Sequence, residues 1–298
     1  MFIKSNVMKT KQKQPLIVIV GPTASGKTAI SIEIAKKIDG EIICADSRTI
    51  YKYMDIGTAK PNQKERAEVP HWGLDLINPG EYFSASDFKN YANQKIKEIR
   101  RRGRVPMLVG GSGLYIDSVV FDYNFGKAVN IQERQKLQQL NIEELQNYCH
   151  NNNIKLPINY KNKRHLIRAI ENKGVIQEKR STPIENSIIV GIATDKSVLI
   201  DNISRRINQM FDNGVVDEYG QLVNCFGWDN EAMKANVYIL IKKYINNEID
   251  LIEVKNTLSH LDWRLAKRQL TWFYRNPFIN WLKVDEARDF IINKLSLE

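Results

Sequence analysis

Eight consecutive residues, Gly21-Pro22-Thr23-Ala24-Ser25-Gly26-Lys27-Thr28, fit G-x-x-x-x-G-K-[ST] at every defined position. In that pattern, backbone N–H groups curl around phosphate oxygens, a helix N-terminus adds partial positive charge, and a lysine supplies a mobile cation. The hydroxyl of Thr28 suits Mg²⁺. The loop recognises a di- or triphosphate and says little about the rest of the ligand, so a nucleotide kinase or an ATP-hydrolysing enzyme is the default expectation. Such an enzyme also needs an acid close to the loop. Ile42-Ile-Cys-Ala-Asp46 supplies one at the end of an apolar run, and Asp46 is expected to act as a metal-associated acid or as a general base.

Elements must position these residues, and the sequence alternates as a parallel sheet requires. Leu16–Val20, Glu41–Ala45, Val105–Val109 and Ser187–Ala193 are short apolar runs rich in β-branched residues, and the first three end at Gly21, Asp46 and Gly110. Helices are expected over Lys27–Lys37 and Ala85–Arg102, then over Ser197–Asp212, Val215–Asn224, Glu231–Asn246 and Leu251–Tyr274. Amphipathic stretches within residues 122–182 (Gln132–Leu140, Ile142–Asn151, Lys163–Asn172) are separated by Asn- and Lys-rich turns and suggest a small helical insertion. The expected fold is therefore α/β: a P-loop core with a parallel sheet (15–121 and 183–298), a helical insertion (122–182), a helical C-terminal part and a loose basic arm over 1–14.

Composition narrows the partners. Lys and Arg outnumber Asp and Glu by 44 to 34 in 298 residues, a net charge of +10 that attracts nucleic acid or another polyanion. Cys44, Cys149 and Cys225 form no CxxC or Cys/His pair, so neither a zinc site nor a disulfide framework is indicated, and a cytoplasmic location fits. The apolar run Leu16–Val20 is too short to span a bilayer, and no membrane association is expected.

Beyond the loop, five segments occur in the order found in the tRNA dimethylallyltransferase family: Ala45-Asp-Ser47, Met54-Asp-Ile-Gly-Thr-Ala-Lys-Pro61, Ser84-Ala-Ser-Asp-Phe88, Leu108-Val-Gly-Gly-Ser-Gly-Leu-Tyr115 and Lys267-Arg-Gln-Leu-Thr-Trp272. The sequence resembles the bacterial members over about residues 15–280. The resemblance implies transfer of a dimethylallyl group from dimethylallyl diphosphate to N6 of the adenine 3′ of the anticodon, with release of diphosphate. Residues 21–28 would hold the diphosphate, Lys27 and Thr28 with Mg²⁺ would activate the leaving group, and Asp46 would accept the adenine proton.

The same resemblance implies that Asp46, Ser47, Arg48, Thr49 and Ser112 meet the target nucleotide, flipped from its stack. Arg164, His165, Arg168, Lys267 and Arg268 would bind the tRNA anticodon stem-loop. In Ile203-Ser-Arg-Arg-Ile-Asn-Gln-Met210, which is similar to the family segment R-I-x-x-R-x-x-x-M, Arg206 takes the place of the second arginine and is expected at the diphosphate. The first falls on Asn202, and Arg205 is a weaker candidate. Trp263, Trp272, Phe273 and Tyr274 are expected to be mostly core, and His71 with Asp75 a structural pair. A monomer without an obligate protein partner is expected.

One segment departs from the family pattern. Where members carry a sequence like Q-A-I-G-Y-K-E, this chain has Lys234-Ala-Asn-Val-Tyr-Ile-Leu240, without the Gly and the Lys. That leaves open a diverged RNA- or diphosphate-binding paralogue with weak or no transfer, and a relative that prenylates free adenine nucleotides.

Overall fold

The computed structural model describes residues 14–126, 130–174 and 178–296. The chain divides into two units: residues 1–120 with 183–298, and the insertion Phe121–Thr182. The expected basic arm, apart from Gln14, lies outside the described residues.

The larger unit is built on β1 (Leu16–Val20), α1 (Lys27–Ile38), β2 (Gly40–Cys44), α2 (Gln63–Glu68), β3 (His71–Trp72), α3 (Ala85–Arg101), β4 (Val105–Gly110) and α4 (Gly113–Val120). In the insertion follow α5 (Ile131–Gln139), α6 (Ile142–Asn151) and α7 (Lys163–Glu171). The chain returns with β5 (Ser187–Ile192), α8 (Lys196–Asp212), α9 (Val215–Phe226), a 3₁₀ turn (Ala232–Lys234), α10 (Asn236–Ile245), α11 (Leu251–Phe273), β6 (Asn280–Leu282) and α12 (Val284–Ser296).

The sheet is parallel throughout, in the order β3-β2-β4-β1-β5-β6. Strands β1, β2 and β4 are buried along their whole length, which is why they read as unbroken apolar runs rather than alternating ones. Because β4 lies between β2 and β1, their carboxyl ends bring three loops side by side: the P-loop, the Asp46 turn and Gly110–Ser112. Ligands of open α/β sheets bind at such ends.

Contact between two of these loops requires a glycine. A Cβ on Gly110 would lie 2.1 Å from the carbonyl oxygen of Ala45, so no other residue lets the β4 loop lie against the end of β2. The Ser112 N–H then donates to that same carbonyl at 3.2 Å.

Three features differ from expectation. Strands β3 and β6 are only two and three residues long, below the length at which a strand pattern registers. The helix expected over Glu231–Asn246 is broken at Ala235, which is extended (φ −64°, ψ 141°) and separates the 3₁₀ turn from α10. His71 and Asp75 do not pair: His71 Nδ1 meets the Val69 carbonyl at 2.8 Å, and Asp75 is bound to Lys60 and Arg66.

The insertion has its own small core of Leu137, Leu145, Cys149, Leu166, Ile167 and Ile170. Its flanks are adjacent in the larger unit, where Ile184 N–H donates to the Val120 carbonyl at 2.8 Å.

Candidate active site

The P-loop joins β1 to α1. Lys27 Nζ donates to the Pro22 carbonyl at 2.5 Å and lies 3.5 Å from Ser25 Oγ, so the ammonium is folded back over the loop. Burial pushes Lys27 down to about 7, while the Asp46 carboxylate pulls it up and the Arg206 guanidinium lowers it further.

Side chains from two distant helices hold the loop. From α11, Gln269 Oε1 accepts the Thr23 N–H at 2.8 Å, and its Nε2 donates to the Gly111 carbonyl at 3.0 Å, linking the P-loop to the β4 loop. From α8, Arg206 donates to Thr23 Oγ1 at 2.5 Å and is paired with Asp262 Oδ2 of α11 at 2.6 Å. Burial raises the Asp262 carboxyl above its usual value, against the opposing effect of Arg206. Asn202, expected from the resemblance to replace an arginine, donates to the Ala24 carbonyl at 3.1 Å. It carries no charge, yet it has a place on the loop. Arg205 is exposed and, with Asn202, lines the cavity over the P-loop.

Asp46 follows β2 and accepts the Arg48 N–H on Oδ1 at 2.8 Å. Ser112 occupies the position before α4, but its hydroxyl accepts the Ser47 N–H at 3.0 Å and lies 3.4 Å from Ser47 Oγ. Arg48 donates to the Glu231 carbonyl at 3.0 Å. Thr49 departs from the expected grouping: it is buried, its hydroxyl turns onto the Asp46 carbonyl at 3.4 Å, and it lines the phosphate-side cavity.

Two cavities open on these loops. One, of about 580 Å³, is lined by the P-loop, Asn202 and Arg205. The other, of about 330 Å³, is lined by Ser47, Arg48, Ser112 and Arg268 together with apolar Met210, Val237, Leu258 and Leu265. They share Thr23, Asp46, Thr58, Ala59, Arg206 and Gln269 as walls. Asp46 thus stands where the P-loop chamber meets the second one, and both are lined by polar and apolar groups together.

The loop carrying Thr58 and Ala59 is braced from behind. Lys60, whose side chain is wholly buried, donates to the Tyr51 carbonyl (2.8 Å), Asp55 (2.6 Å) and Asp75 (2.7 Å). Glu218 of α9 accepts the N–H groups of Asp55, Ile56 and Gly57 at 2.7–2.8 Å. Neither Glu218 nor Asp262 is marked by any sequence pattern. Gln269 lies within a segment of family resemblance, Lys267–Trp272, and that was the available signal.

Of the basic residues expected on the RNA side, Lys267 and Arg268 line a groove on α11 with Arg264 and Arg275, and Lys267 Nζ lies 5.7 Å from the Trp263 ring centre. Trp272 donates to Asp117 at 2.8 Å and Phe273 is fully buried, whereas Tyr274 is exposed. In the insertion, Arg164 and His165 are exposed. Arg168 is committed internally, to Glu171 at 3.1 Å and to the Phe125 carbonyl, so it serves the insertion's structure instead of presenting a free cation.

The donor set suits a hard cation. The Thr28 hydroxyl and the Asp46 carboxylate are oxygen ligands, and no group of three His, Cys, Asp or Glu occurs among the described residues, so a Mg²⁺ ion here would draw most of its ligands from the phosphate and water.

The family model for IPP transferase matches residues 49–276. The tRNA dimethylallyltransferase of Acetivibrio thermocellus is 39% identical over 289 residues, covering 91% of this chain and 92% of the relative. That of Bacillus cereus is 36% identical, covering 96% and 97%. Among solved structures, the tRNA isopentenylpyrophosphate transferase of Bacillus halodurans superposes with a TM-score of 0.73 at 34% identity, over 96% of this chain and 98% of that one. A eukaryotic dimethylallyltransferase shares the fold, with a TM-score of 0.76 at 21% identity. With a P-loop, an acid and two joined cavities at the carboxyl edge of its sheet, and with full-length relatives at this level of identity, the chain belongs to the IPP transferase family.

Proposed function

We propose that this chain transfers a dimethylallyl group from dimethylallyl diphosphate to N6 of the adenine 3′ of the tRNA anticodon, releasing diphosphate. The observation that carries the reading is the placing of Asp46 where the P-loop chamber meets the second cavity. In this reading the allylic C–O bond breaks with its electron pair leaving on diphosphate, while N6 forms the new C–N bond and gives up a proton.

The diphosphate lies in the P-loop, where backbone N–H groups, Lys27 and Arg206 stabilise the charge that develops on the leaving oxygen. Mg²⁺ held with Thr28 would add further neutralisation of that charge. The adenine enters from the side of Ser47, Arg48 and Ser112, and Asp46 accepts its proton. Arg164 and His165 on the insertion, and Lys267 and Arg268 on α11, contribute to holding the RNA, in keeping with a net charge of +10. No helix among the described residues is long and apolar enough to cross a membrane, and a cytoplasmic site of action fits tRNA as the acceptor.

Intact Lys27, Thr28 and Asp46, together with near-full-length similarity to dimethylallyltransferases, favour transfer over a binding-only paralogue. The test is transfer of labelled dimethylallyl to unmodified tRNA with Mg²⁺, comparing wild type with Asp46→Asn and including AMP and ATP as acceptors. Asparagine still accepts the Arg48 N–H but is a negligible base, so transfer should fall about 10²- to 10⁴-fold with donor binding retained. Absence of transfer to any acceptor would overturn the reading, and preference for AMP or ATP would replace its acceptor.

A further inference from the structure

Glu218 lies outside both cavities, yet it ties together two of the segments that wall the second one. Its carboxylate is buried, with 8% residue exposure, and accepts four hydrogen bonds. Oε2 takes the N–H groups of Asp55 and Ile56, each at 2.7 Å; Oε1 takes the Gly57 N–H at 2.8 Å and the Tyr238 hydroxyl at 2.7 Å. Gly57, Thr58 and Ala59 form one part of the cavity wall, and Ala235, Asn236 and Val237, next to Tyr238, form another.

The two segments also touch directly. A Cβ on Gly57 would come within 2.6 Å of the Tyr238 hydroxyl, so the loop rests on the ring with no room for a side chain. Burial, and then the neighbouring carboxylate, hold the Tyr238 phenol far above its ordinary value, so it remains a donor at any working pH. A carboxylate buried this deeply is tolerated because its acceptor sites are filled, and removing one partner leaves others unsatisfied.

The geometry points to Glu218 as a positioning residue that sets the spacing between the Gly57–Ala59 and Ala235–Val237 walls, and hence the placement of the acceptor base against Asp46. This rests on the proposed transferase reading. Thr58 and Ala59 also wall the P-loop chamber, but Ala235–Val237 line the second cavity alone, and among the described residues Glu218 makes no hydrogen bond to the P-loop or Asp46, so base placement should suffer far more than donor binding.

The test uses Glu218→Gln and Tyr238→Phe in the full chain, with steady-state transfer to tRNA, equilibrium binding of dimethylallyl diphosphate and the thermal midpoint measured on each. In Glu218→Gln an amide NH₂ replaces one oxygen and faces N–H or O–H donors; kcat should fall about 10²-fold through misplacement of the acceptor. Its KM for tRNA should rise, and the donor Kd should stay within about twofold of wild type. Tyr238→Phe removes a single hydroxyl and keeps the ring under Gly57, and should show the same pattern, about tenfold in kcat, should Glu218→Gln fail to fold. Unchanged kcat in Tyr238→Phe or in a folded Glu218→Gln, or donor Kd weakening as much as kcat, would overturn the inference while leaving the transferase reading intact. A wild-type protein that transfers to no acceptor would overturn both.

Discussion

Thr23 and Gln269, 246 positions apart in the chain, are joined by a hydrogen bond of 2.8 Å from the backbone N–H of one to the side-chain oxygen of the other. The bond sets the first turn of the P-loop against the C-terminal half of α11, and through the Gly111 carbonyl against the β4 loop as well. Gln269→Ala would leave the Thr23 N–H and the Gly111 carbonyl without these partners and free the loop to shift. An unmade bond of this kind costs about 1–3 kcal/mol, so KM for dimethylallyl diphosphate should rise about tenfold with a smaller change in KM for tRNA. Steady-state kinetics with each substrate varied in turn checks this.

Lys27 gives the donor site a pH dependence. Its value is depressed to about 7, so between there and the ordinary lysine value the native protein binds fewer protons than the unfolded chain. Its contribution to stability is therefore present above the ordinary value and lost as pH falls through about 7. Binding runs the other way, because diphosphate needs the ammonium. Donor affinity should weaken about tenfold between pH 7 and pH 8.5, and in Lys27→Arg, which stays charged, the profile should be flat. Titration calorimetry at several pH values would read both, and a flat wild-type profile would refute the assignment.

Arg164 and Arg168 share a helix but not a task. Arg164→Ala should weaken tRNA binding and lower the slope of log affinity against log salt by about 1. Arg168→Ala should leave that slope unchanged and loosen the insertion by about 2 kcal/mol, since among the described residues Glu171 then keeps Arg134 alone. Binding titrations across a salt series, with hydrogen exchange over residues 130–174, separate the two effects.

Lys60→Met removes a fully buried ammonium from between Asp55 and Asp75. Breaking such a cluster from one side costs several kcal/mol, and the solvent exposure of Asp55 keeps the loss near the lower end, about 3 kcal/mol. The thermal midpoint should drop by about 6–12 °C.

Much of this arrangement was legible before the fold. The buried strands announce themselves because a parallel strand covered on both faces admits no polar alternation, and the G-x-x-x-x-G-K-T pattern is local, so its geometry follows from consecutive residues. What escaped is non-local or very short. Glu218, Asp262 and Gln269 act by reaching across the chain, and nothing in their neighbours in sequence records the atoms they meet. Strands β3 and β6 carry too few residues for periodicity. Arg168 looked like a surface cation because Glu171, three residues on, accounts for only part of its guanidinium, and nothing in the helical pattern records the Phe125 carbonyl, forty-three residues back.

The hydrogen bond from Ile184 to Val120 closes a doorway through which sixty-two residues leave and come back. Because both jambs belong to the larger unit, the chain enters and leaves that unit at one place, and the register of its sheet is set on either side of the gap. On the transferase reading, lengthening or shortening what hangs there would change the grip on RNA and leave the loops around Asp46 in register.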